Sequence, residues 1–128
     1  MKKRPVYVFI LACLGLLVFG LHRSSAQQEE LDPLKVCKDT DKLVFENTFV
    51  KVTQEQVPAG VAQRKHQHAH GVTVSLSNYD VDATTFPDNQ TVHRHTDFGQ
   101  VRWSDAVIHQ TTNTGKTEQR VVRIELKF

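Results

Sequence analysis

The sequence predicts an all-β domain, an antiparallel sandwich or barrel, and three observations carry that reading. From Lys42 onward, eight short runs are rich in Val, Thr, Phe and Ile, at 43–45, 49–52, 72–76, 81–85, 91–95, 101–103, 107–111 and 121–126; such residues suit a pleated, half-buried surface. Turn clusters separate them, among them Pro58-Ala59-Gly60, Pro87-Asp88-Asn89, Asp97-Phe98-Gly99 and Asn113-Thr114-Gly115. No helical period of useful length interrupts the series.

The elements before Lys42 are of another kind. Lys2-Lys3-Arg4, the apolar stretch from Val6 to Leu21 and the small residues ending at Ala26 form the charged, apolar and cleavage regions of a secretory signal. Residues 1–26 are therefore expected to be removed, leaving a secreted or periplasmic protein. The alternative is an uncleaved anchor, the one route by which this chain would meet a membrane. Residues 27–41 are a polar lead-in, with a single helical turn expected after Pro33. The domain proper is expected over 42–128.

Charge follows the same division. The 128 residues carry 16 Lys and Arg against 14 Asp and Glu, a net +2. Removing residues 1–26 takes away Lys2, Lys3, Arg4 and Arg23 and no acid, leaving 12 against 14, or −2. The basic balance belongs to the targeting segment, so a nucleic-acid role loses its electrostatic support. Cys13 leaves with that segment. Cys37 is then the sole thiol, and packing is its expected role.

Within the domain, strand alternation assigns side chains to faces. From His66 to Leu76, one parity reads His66, His68, His70, Val72, Val74, Leu76. If the valines fill the core, the histidines share the inward face near the barrel mouth. The last run repeats the pattern, with Val122, Ile124, Leu126 and Phe128 on one face. His109, in a distant run, can close on the first histidines from a facing strand. Neutral imidazole ligates Zn, Mn, Fe and Ni, and three protein ligands with open positions suit a catalytic metal. His93-Arg94-His95 is read as a solvated strand face, and Trp103 and Phe98 as core.

These residues resemble the cupin family. Gly60, five residues, then His66-Gln67-His68 is similar to the first cupin motif. Gly99, Trp103, Ala106, His109 and Asn113-Thr114-Gly115 look like the second. The resemblance spans 42–128. It implies a cupin-type jelly roll, often a homodimer, with a divalent metal inside the barrel held by His66, His68 and His109. The family's carboxylate ligand would fall at Val72 or Thr73, which cannot supply one; His70 is the candidate replacement. Asp105 and Val107 also depart from the family's proline and glycine.

Two functions follow as expectations. The first is a metal-dependent reaction on a small oxygenated molecule. The second is a non-catalytic module that holds a small apolar or sugar-like ligand in the same cavity, with a degenerate metal site or none.

Overall fold

The computed structural model describes residues 29–128; the signal segment expected at 1–26 lies outside the described residues. Among the described residues one short helix, α1 (Pro33–Val36), precedes nine strands: β1 (Asp41–Glu46), β2 (Val50–Val57), β3 (Ala62–His68), β4 (Gly71–Ser75), β5 (Tyr79–Thr85), β6 (Gln90–Thr96), β7 (Val101–Ser104), β8 (Val107–Asn113) and β9 (Gln119–Leu126). They form two antiparallel sheets, ordered β1-β2-β9-β4-β7 and β3-β8-β5-β6. Each strand follows a run of β-formers except β3. Its sequence, AQRKHQH, contains no β-branched residue, and its pairing with β8 holds it extended.

Two glycines of the motif pattern have a conformational reason. Gly60 and Gly99 have φ of 79° and 77°, in turns where a side chain would be strained. α1 is the single turn expected after Pro33. The Asp32 side chain caps it by accepting from the Leu34 amide at 3.1 Å. The lead-in also docks on the barrel, where the Gln67 amide donates to the Leu31 carbonyl at 2.8 Å.

The alternation expected through 66–76 does not persist. β3 belongs to the four-stranded sheet and β4 to the five-stranded one, so the chain turns a corner at Ala69-His70 and the parity restarts. Gly71 and Ser75 are buried on β4, while Val72 and Val74 take the other face. β9 is likewise inverted. Gln119, Val121, Arg123 and Glu125 are its buried side chains, and Val122, Ile124 and Leu126 face outward.

The interior is consequently polar. Tyr79, Val81 and Val121 form a small apolar cluster, beside buried Thr53, Glu55, Gln63, Thr96, Thr111, Asn113 and Arg123. Asn113 ties the turns together: its side-chain amide donates to the Val57 and Thr117 carbonyls, and its oxygen accepts from the Gly115 amide. Trp103 and Phe98 are not core residues, being 58% and 70% exposed. Trp103 stands on the outer side of β7, where its indole N–H reaches Asp105.

Candidate metal centre

β3 and β8 bring His66 and His109 directly opposite each other in register. A bulge between Gln63 and His66 lets both residues point inward, and the next inward position is His68. The three rings lie edge to face, with centroids 4.6–5.2 Å apart. One nitrogen from each lies within 4.8 Å of the other two.

Hydrogen bonds at the far side of the His66 and His68 rings orient the near side. His66 Nδ1 meets the Arg64 carbonyl at 2.5 Å, and His68 Nδ1 meets Glu125 Oε1 at 2.7 Å. Oxygen can only accept in both contacts, so each Nδ1 carries the proton and each Nε2 presents a lone pair. His109 Nε2 lies 3.1 Å from His66 Nε2. The Nε2 of His68 is buried with no hydrogen-bond partner among the described residues. His109 Nε2 can donate to His66 Nε2 when it carries the ring proton, whereas the lone pair of His68 Nε2 meets no donor among the described residues and is open to a cation. Nitrogens bound to one zinc ion at about 2.0–2.1 Å lie roughly 3 Å from each other. The donor set therefore fits a divalent metal.

Burial keeps the rings neutral. It pushes His68 down to about 2, with the Arg123 charge adding to the effect, and His109 down to about 2, with His66 beside it. It also lowers His66. Neutral imidazole is the ligating form.

His70 lies outside this group. It follows the end of β3 at the corner between the sheets, and its ring stacks on Trp103 at 5.9 Å. Val72 supplies no carboxylate, as its side chain requires. Carboxylates surround the histidines instead. Glu125 bonds His68 and is paired with Lys51 at 3.0 Å. Glu55 bonds Arg123 at 2.8 Å. Burial opposes ionisation of Glu55, but the Arg123 guanidinium and the neighbouring His68 and His66 together hold the carboxyl below its ordinary range. Cys37 is buried, as expected of a packing residue, with its sulfur 3.5 Å from His66 Nδ1. Burial raises its thiol to about 11, so it remains protonated. His93 and His95 sit on the exposed outer face expected of them, bonded to Asp82 and Asp80.

His109 also borders a cavity of about 320 Å³ between the sheets. Sequence reasoning did not place Glu125 or Arg123 in this interior because it assigned the opposite parity to β9, and it did not place Glu55 because its second run ended at Val52, short of the buried end of β2. The signal that points to Arg123 and Glu125 is two opposite charges on one parity of the last run, the parity the fold buries on β9.

Two facing antiparallel sheets with histidines converging from β3 and β8 define a small cupin domain, a double-stranded β-helix. The protein resembles solved structures of that class. A cupin domain from Bordetella pertussis Tohama I is 27% identical with a TM-score of 0.63, over 69% of this chain and 92% of that one. A Bacillus halodurans protein is 13% identical with a TM-score of 0.54, over 68% and 69%. A Klebsiella pneumoniae protein with a double-stranded β-helix domain is 14% identical with a TM-score of 0.51, over 65% and 71%. No protein-family model and no curated protein matches the chain.

Proposed function

We propose that this cupin domain holds a divalent first-row metal on His66, His68 and His109 and presents its open positions to a small oxygenated molecule in the barrel. The observation that carries the reading is the buried, unpartnered Nε2 of His68 facing the other two imidazoles. A bound ion would polarise a ligand oxygen or lower the pKa of bound water. The chain's own residues position and shield: Arg64 and Glu125 set the tautomers, and burial keeps the rings neutral.

A binding role without turnover has support in Glu55. It is the carboxylate closest in kind to a general base, and Arg123 and Gln119 both engage it. Export rests on the signal pattern of residues 1–26. Pairing with a second copy is supported by the outer face of the five-stranded sheet. There Phe45, Val52, Ile124, Val72 and Trp103 align in register across all five strands.

The test is elemental analysis of tag-free protein after incubation with Zn, Mn, Fe or Ni, beside His66→Ala and His109→Ala. One equivalent of metal, lost in both variants, supports the centre. Retention of metal in both variants, or none in the parent protein, overturns it.

A further inference from the structure

The cavity bordered by His109 differs from the apolar pocket that strand patterning predicts. Three arginines, Arg94, Arg102 and Arg123, line it from β6, β7 and β9. Only Arg123 is matched, by Glu55. Arg102 donates to the neutral Thr96 hydroxyl at 3.0 Å, and among the described residues neither Arg94 nor Arg102 forms an ion pair. The acids on the wall are Glu55, held by Arg123, and Asp105, which accepts the Trp103 indole N–H at 2.9 Å.

Cationic forks without counter-charges, facing a common space, call for an anion. The remaining wall decides which kind. Val81, Ala83, Val107 and Val121 supply an apolar side, which favours a short carbon skeleton over an inorganic anion. A volume of about 320 Å³ suits a molecule of a few carbons. We propose that this cavity binds a small organic acid, its carboxylate on Arg94 and Arg102 and its other oxygens toward His109. The arginine contact stands by itself, whereas the approach to the histidines rests on the metal reading above.

Titration calorimetry with malonate, using malonamide as the neutral counterpart and inorganic phosphate as the inorganic one, tests the assignment on metal-free and metal-loaded protein. Arg94, at the exposed rim, and Arg102 are replaced one at a time as Arg94→Gln and Arg102→Gln, with metal content measured in each. The expected result is malonate binding that exceeds malonamide and phosphate binding. Each arginine variant weakens it about tenfold or more at unchanged metal content. Malonate binding that both variants leave intact, or phosphate binding tighter than malonate, overturns the assignment. So does protein that loads metal on its histidines yet ignores malonate. Malonate captured through the arginines by protein that takes no metal sustains this inference and removes the metal reading alone.

Discussion

Glu125 shows how much one side chain does here. Its Oε1 accepts the proton of His68 Nδ1, its Oε2 meets Lys51, and it is 3% exposed. A carboxylate bonded to a ligating imidazole fixes its tautomer and raises its basicity, and losing such a partner weakens metal binding about 10–100-fold. Glu125→Gln is expected to lower zinc affinity by that factor while the fold persists, read by competition with a chromophoric chelator. Asp41 shows the cost of burying a carboxylate. Thr40 and Gln63 both donate to its Oδ2, while Oδ1 has no partner among the described residues. Burial raises the carboxyl from 3.8 to about 7, with Glu55 adding to the effect. Between those two values the folded chain keeps a proton that the unfolded chain releases, so this group's contribution to stability declines as pH rises through that window. Asp41→Asn is expected to remove that decline, with the gain in melting temperature over the parent growing from pH 4 to pH 7.

At the scale of elements, the corner between β3 and β4 decides which side chains enter the barrel. Gly71 permits it: a Cβ there would run into the Ile124 carbonyl oxygen of β9. Gly71→Ala is therefore expected to destabilise by about 2 kcal/mol or more, a fall of about 8–16 °C in melting temperature. A melting point within two degrees of the parent would sink this account. The same corner explains what was legible in the sequence. The turns, the convergence of His66, His68 and His109 and eight of the nine strands follow from local composition and motif spacing, while β3 lacks the β-formers that mark the rest. The facing of Val72 and Val74 does not, because alternation carries information only within one sheet. Nor does that of Ile124 and Glu125, because β9 buries the parity that holds Arg123 and Glu125 and turns its more apolar parity outward. His70 falls just past that boundary. Its parity matched the cluster, but its ring stacks on Trp103.

For the whole molecule, the sheet faces are inverted relative to a simple barrel. The interior is rich in hydroxyl, amide and charged groups, while a ribbon of apolar side chains crosses the outside of the five-stranded sheet. Phe45 and Val101 on its flanks are 52% and 62% exposed. An exposed apolar patch of this continuity marks an interaction surface, and a face aligned across all five strands can meet its own copy about a two-fold axis. Phe45→Lys with Val101→Lys is expected to convert a dimer to a monomer in sedimentation velocity, with metal content preserved. Sedimentation of the parent as a monomer would refute pairing.

The docked lead-in has one more consequence. β3 lies at the edge of its sheet, so its free amides and carbonyls are a template on which a stray strand could grow. The Leu31 carbonyl engages one of them, and α1 follows directly in the chain. A short polar stretch thus covers part of the edge on which another strand could add. A chain trimmed to begin after Cys37 would keep its histidines and leave that part of the edge uncovered.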